Sequence, residues 1–170
     1  MGNPFIPGSE ESMENKPFWE TAYSDLKVSA FSKGPTADVE DHFRIFPSNA
    51  AVLDVGCGEG RNSVFMAKLG NRVDAFDISA AGIEKARQIA EMEKVSIRFF
   101  VCDLSDFVFK KPYDIILSHG VLHLPYKETR DSFIQRMQDN TTPGGINVIG
   151  IFTNRLPATP DNAPFTHSLF

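Results

Sequence analysis

Basic residues are the minority charge. Seventeen Lys and Arg stand against 22 Asp and Glu, for a net charge of −5. The densest basic run is Lys110-Lys111, which reads as a solvated loop. A chain so charged is a poor binder of a phosphate backbone, so no nucleic-acid partner is expected. Cysteine is scarce: Cys57 and Cys102 are the only two. With no signal-peptide pattern, free thiols and a cytoplasmic location are expected. No apolar run approaches the ~18 residues of a membrane-spanning helix, so no membrane partner is expected. The start, Met1-Gly2-Asn3-Pro4-Phe5-Ile6, lacks the Ser or Thr of a myristoylation signal. Repeats and low-complexity tracts are absent too.

What is present is a regular alternation that begins near residue 50. Apolar runs lie at 51–55, 72–76, 96–101, 113–118 and 146–152. Helical spacings fall between them: Ile83, Ala86 and Ala90, then Phe133 and Met137. Ser79 is a candidate N-cap. Strands alternating with helices over short links predict an α/β domain, a mostly parallel, doubly wound sheet covered on both faces. At 170 residues there is room for one such domain. It divides into a tail with lid helices (1–49), a core (50–152) and an irregular C-terminal segment (153–170). Within the first part, Pro17 to about Lys27 suits a short helix carrying Phe18, Trp19 and Tyr23. Thr36 suits the N-cap of another helix, ending near Phe46.

Ligands of such sheets sit at the carboxyl ends of the strands. Strand one, with Asp54 in it, runs into Gly56, Cys57, Gly58, Glu59 and Gly60. Glycines let the backbone turn tightly and approach a ligand. The helix from Arg61 then points free N–H groups and a positive dipole end at it. Asp77 follows strand two, where a carboxylate can accept from a ribose diol. Asp103 and Leu104 follow strand three and suit the amine and face of an adenine. Ser118 and His119 follow strand four, near a reactive centre. The glycines stand evenly two apart, unlike the G-x-G-x-x-G of dinucleotide sites. Acids at two successive strand ends further on point to a nucleoside with an aminocarboxylate tail.

LDVGCGEG (53–60), AFDIS (75–79), VCDL (101–104), YDIILSHGVLHL (113–124) and TPGGINVIGIF (142–152) resemble the class I S-adenosylmethionine-dependent methyltransferases. GCGEGRNS, VDAFD, YDIILS and MQDNTTPGGINVI are similar, more narrowly, to the tellurite-resistance TehB family. That resemblance implies a Rossmann-like three-layer αβα sandwich with S-adenosylmethionine as cofactor. It implies that Asp54 and the loop of Gly56, Cys57, Gly58 and Gly60 hold the methionine moiety. It further implies that Asp77 takes the ribose, with Ile78 against the adenine, that Asp103 and Leu104 bind the adenine, and that Ser118 lies near the methionine end.

Methyl transfer needs alignment and exclusion of water, and a base only if the acceptor must lose a proton. No catalytic triad is evident. The candidates for chemistry are Arg61, His119 and Tyr23. Arg61 either steers an oxyanionic acceptor or anchors its own helix. Tyr23, with Phe18 and Trp19, either lids the sulfonium or packs on the sheet edge. His119 either lines the acceptor pocket or is a local loop residue. His123 reads as a packed histidine, and with His119 it lacks a third metal ligand, so no metal is expected. Cys57 and Cys102 read as small packing residues that a strand keeps apart.

The family's final antiparallel hairpin has no counterpart in the 18 residues after strand five. The sheet is therefore expected to lack it, and its exposed edge suits a homodimer. The expected function is methyl transfer to a small-molecule acceptor: a chalcogen oxyanion, a thiol or another xenobiotic. A non-catalytic cofactor-binding module and a methyltransferase of RNA or protein are the alternatives.

Overall fold

The structure, a computed structural model, describes residues 19–25 and 34–153. The chain enters the domain through helix α1 (Ala37–His42) and a 3-10 turn (Phe43–Ile45). It then alternates β1 (Ala51–Val55), α2 (Arg61–Lys68), β2 (Arg72–Asp77), α3 (Ala80–Met92) and β3 (Ile97–Val101). Strand β4 (Tyr113–His119), helix α4 (Lys127–Asp139) and strand β5 (Thr141–Gly150) follow. The five strands are ordered β3-β2-β1-β4-β5, and every pairing is parallel. The order reverses between β1 and β4, and the crevice outside that switch point is where such sheets bind ligands.

The central strand shows why the chain folds this way. Val52 and Leu53 are adjacent in sequence and both fully buried, yet they belong to different cores. Val52 joins Val73, Ala75, Ile115 and Leu117 under Val64 and Met66 of α2 and Ile83, Ala86 and Ala90 of α3. Leu53 joins Val55, Phe76 and Ile116 under Phe133 and Met137 of α4. Successive strand residues point to opposite faces, so a strand with apolar residues on both needs cover on both. This makes the three-layer, Rossmann-like sandwich. On the α4 face a loop shares the work. Phe107 stacks on Phe76 at 4.3 Å between centroids, and Phe100, Phe109 and Phe133 complete the cluster. Burying each such ring stabilises the fold by about 1.5–3 kcal/mol.

Two expectations need correction. Strand β5 runs from Thr141 to Gly150 rather than from 146 to 152. Its register jumps from Tyr113↔Thr141 to Ile115↔Ile146, so the strand bulges at Pro143-Gly144-Gly145 and begins earlier than its apolar run. Lys111 is not merely solvated: its Nζ lies 3.0 Å from Asp74, which also accepts from Arg98 and from the Tyr113 hydroxyl. Burial opposes ionisation of Asp74, but those partners outweigh it and hold its pKa below the usual range. Ser79 caps α3 as expected, accepting from the Gly82 N–H at 3.0 Å. Among the described residues β5 is a sheet edge, with Ile149, Ile151 and Phe152 exposed. No helix among them is long and apolar enough to cross a membrane. The expected irregular segment from 154 onward lies outside the described residues, as does Phe18.

Candidate functional site

At the end of β1 the chain turns through Gly56, Gly58 and Gly60, all at positive φ. Two bonds pin this loop to the end of β2. The Cys57 N–H donates to the Phe76 carbonyl (2.9 Å), and the Gly58 N–H donates to Asp77 Oδ2 (2.8 Å). Helix α2 starts from Gly60 with no side-chain cap and no acid in its first turn. The Ser63 N–H in that first turn instead favours the Asp54 carboxylate, so the chain supplies an acid to the helix start from β1. Burial pushes the Cys57 thiol well up, which makes it a poor nucleophile.

Three carboxylates stand at this end of three adjacent strands, about 4.8 Å apart from strand to strand. Asp54 is buried beneath the loop, and Ser63 Oγ donates to its Oδ2 at 2.5 Å. Burial pushes its carboxyl up to about 6 despite that bond. Asp77 is buried at the tip of β2, where its Oδ1 accepts from the Ser79 N–H at 2.9 Å. Burial raises its pKa too, against the N–H groups that favour the anion. Asp103, beyond β3, accepts from the Ser105 N–H and hydroxyl through Oδ1 (2.8 and 2.6 Å), and Oδ2 has no partner among the described residues. Ile78 and Leu104 lie half-buried beside these acids.

The segment 19–25 crosses the glycine loop. Tyr23 stacks on Trp19 at 5.9 Å and is itself buried. Its hydroxyl lies where a side chain on Gly58 would begin: a Cβ there would stand 2.4 Å from it. Burial, then the charge of Asp77, drives the phenol far above its usual range, so Tyr23 stays neutral. Glu20 accepts from the Ala80 and Ala81 N–H groups at the start of α3 (2.8 and 3.0 Å). Below, Lys85 Nζ pairs with Glu59 at 2.9 Å, with both side chains buried, and also donates to the Asp25 carbonyl at 2.9 Å. Arg61 is half-exposed at the head of α2, where its charge acts on both Tyr23 and Asp54.

The β4 end is built separately. Ser118 points into the α4 face, with its Oγ buried and unpartnered among the described residues. His119 points the other way and meets Asp38 of α1, Nδ1 to Oδ2 at 3.1 Å. His123 is buried, with its ring edge-on to Phe152 at 5.0 Å, away from any pairing with His119. No metal-binding group of His, Cys, Asp and Glu occurs among the described residues. The two cysteines are free.

Comparison with known proteins gives this geometry a family. The tellurite resistance protein TehB family matches residues 26–169. The chain belongs to the TehB family. Relatives in that family are named as S-adenosyl-L-methionine-dependent methyltransferases. The probable S-adenosyl-L-methionine-dependent methyltransferase TehB of Haemophilus influenzae is 35% identical over 112 residues, covering 66% of this chain and 39% of that protein. The tRNA 5-carboxymethoxyuridine methyltransferase of Escherichia coli is 36% identical over 104 residues, covering 59% and 39%. The crystal structure of TehB from Haemophilus influenzae superposes with a TM-score of 0.66 at 29% identity, covering 85% of this chain and 48% of that one. This chain therefore spans less than half the length of these relatives.

Within this TehB-family chain, the motif's trailing residues turn out to be struts. Ser63 holds Asp54, and Asn62 Oδ1 accepts from the Thr36 N–H at 2.9 Å, fixing the start of α1. Glu59, Lys85, Glu20 and Asp38 carry site contacts that sequence reasoning missed. Asp38 and His119 lie 81 positions apart, a pairing that no local spacing announces. Glu59 was visible in the sequence as the one charge inside the glycine loop, whereas its burial shows only in the structure.

Proposed function

We propose that this chain carries the S-adenosylmethionine-binding part of a methyltransferase acting on a small, soft acceptor. The observation that carries this is the donor set: a helix N-terminus behind the glycine turn, with acids at three neighbouring strand ends. It matches a ligand with an aminocarboxylate, a ribose diol and an exocyclic amine. The α2 N-terminus and Asp54 would hold the methionine end. Asp77 already accepts two backbone N–H groups but has lone pairs left for the ribose hydroxyls. Asp103 Oδ2 and Leu104 would take the adenine edge and face, with Ile78 beside it. The cofactor supplies a methyl on positive sulfur, open to in-line attack. The strap of Trp19 to Asp25 would exclude water and offer an aromatic face to the cation.

A chalcogen oxyanion, a thiol or another xenobiotic fits the acceptor class. An RNA acceptor is the competing reading, and the Escherichia coli relative that acts on tRNA favours it. The net charge of −5 opposes it. Mass spectrometry of products from S-adenosylmethionine with tellurite, selenite, small thiols and unmodified tRNA decides between them. Methylation of a small acceptor is the expected result. Methylation of tRNA alone overturns this reading.

A further inference from the structure

We propose that His119 is a general base held by Asp38, and that the acceptor is therefore a thiol that arrives protonated. This rests on the methyl-transfer reading and narrows it. The position comes first. On that reading the adenine acid stands at β3, the ribose acid at β2 and the methionine loop at β1, three neighbours in the strand order. The next strand across is β4, whose last residue is His119. His119 thus stands one strand, about 4.8 Å, beyond the methionine end and about two strands from Asp77. On the methyl-transfer reading, that is the side from which an acceptor would approach the methyl carbon.

The geometry of the pair comes second. Asp38 Oδ2 lies 3.1 Å from His119 Nδ1. Burial opposes ionisation of Asp38, but contacts with Thr36 and His119 outweigh it and hold its carboxyl below the ordinary range. A carboxylate only accepts, so Nδ1 must carry the hydrogen. Nε2 is then the ring nitrogen left to take a proton; it has no partner among the described residues, and the side chain is 35% exposed. The pair is tied to the cofactor loop. Asn62, two residues beyond Gly60, holds Thr36, and Thr36 stands at the N-terminal boundary of the helix that carries Asp38.

The surroundings come third. On β5 the facing residue is Gly150, and a Cβ there would lie 2.3 Å from His119 Nδ1 and 3.2 Å from Asp38 Oδ2. The missing side chain is what lets the ring reach Asp38. Nothing charged faces His119 from β5 at that register. On its own strand Ser118 points to the opposite face, and His123 in the following loop is turned onto Phe152. Within ion-pair distance among the described residues, His119 meets Asp38. A chalcogen oxyanion attacks without losing a proton and has no use for such a pair, whereas a thiol does. The thiol S–H bond breaks and its proton goes to Nε2. The thiol sulfur forms a bond to the methyl carbon. The old sulfonium C–S pair returns to the cofactor sulfur, leaving two neutral thioethers. The imidazolium then releases its proton to water.

The test uses the full 170-residue chain and two thiols: an alkyl thiol, protonated at pH 7, and 4-nitrothiophenol, ionised at pH 7. His119→Gln should lower kcat/KM for the alkyl thiol by about 100-fold or more and leave the thiophenolate within about threefold. The loss should shrink as pH passes the alkyl thiol's own pKa. Asp38→Asn should move the pH profile for the alkyl thiol and leave that for the thiophenolate in place. An equal loss with both thiols overturns the proposal, because His119 would then only shape the pocket. Wild-type chain that binds S-adenosylmethionine but methylates neither thiol also overturns it, and leaves the methyl-transfer reading standing. Failure to bind S-adenosylmethionine sinks that reading instead. Should the variants misfold, 15N NMR of the wild-type imidazoles remains. Hydrogen on Nδ1 of His119 supports the proposal, and hydrogen on Nε2 alone overturns it.

Discussion

Replacing Lys85 by Met separates a buried charge from its partner without removing much apolar volume. Lys85 and Glu59 have side-chain exposures of 3% and 4%, and their Nζ and Oε2 atoms are 2.9 Å apart. Pairs this dry owe their stability to being complete: removing one member strands the other in low dielectric, at a cost of about 3–5 kcal/mol. For a domain this size, each kcal/mol lowers Tm by about 2–4 °C, so the single variant should melt about 6–20 °C early. Glu59→Gln with Lys85→Met removes both charges and should recover most of that loss. Lys85 also donates to the Asp25 carbonyl, a bond both variants lose alike, so the difference between them isolates the ion pair. Urea denaturation of the wild type, both single variants and the double variant gives the cycle, and its coupling energy should reach about 2 kcal/mol. A cost for Lys85→Met below about 1 kcal/mol, the range of surface pairs, would refute the reasoning. The glycine loop would then not be braced from below.

Other predictions follow from the acids. The Asp54 carboxyl sits at about 6 in the fold, above the ~3.9 of an unfolded aspartate. Its stabilising contribution is therefore full below about pH 4 and is lost as pH rises through 6, by roughly 3 kcal/mol. Asp54→Asn should flatten denaturant stability over that window, and an unchanged pH profile would contradict the assigned burial. Ser63→Ala removes the hydroxyl that donates to Asp54 and should cost about 1.5–3 kcal/mol at pH 7, read by the same urea titration. Asp77→Ala should weaken S-adenosylmethionine by at least about tenfold in calorimetry, since two charge-assisted bonds to the ribose would be lost. Wild-type affinity in that variant would place the ribose elsewhere.

The parallel sheet was legible because its signal is local. Val52 points to one face and Leu53 and Val55 to the other, and a strand apolar on both faces needs cover on both. The glycine loop was legible for the same reason, since its turn and its acid lie within seven residues (54–60). β5 misled because the bulge at Pro143-Gly144-Gly145 lies outside its apolar run, and apolar pattern is blind to a paired polar segment such as Thr141-Thr142. Lys111 misled because its partner, Asp74, lies far back in the chain on β2. The pairs Lys85–Glu59 and His119–Asp38 were invisible for that reason as well. They join residues that only the crossovers bring together, and neither side chain carries a mark of its partner.

The central claim is that the loop at 56–60, with Asp77 and Asp103, binds S-adenosylmethionine. Calorimetric titration of the 170-residue chain with S-adenosylmethionine, its demethylated product and NAD tests it most directly. Saturable one-to-one binding of the first two, with no heat from NAD, is the predicted result. Binding of NAD in preference to both, or of none of the three, would contradict it.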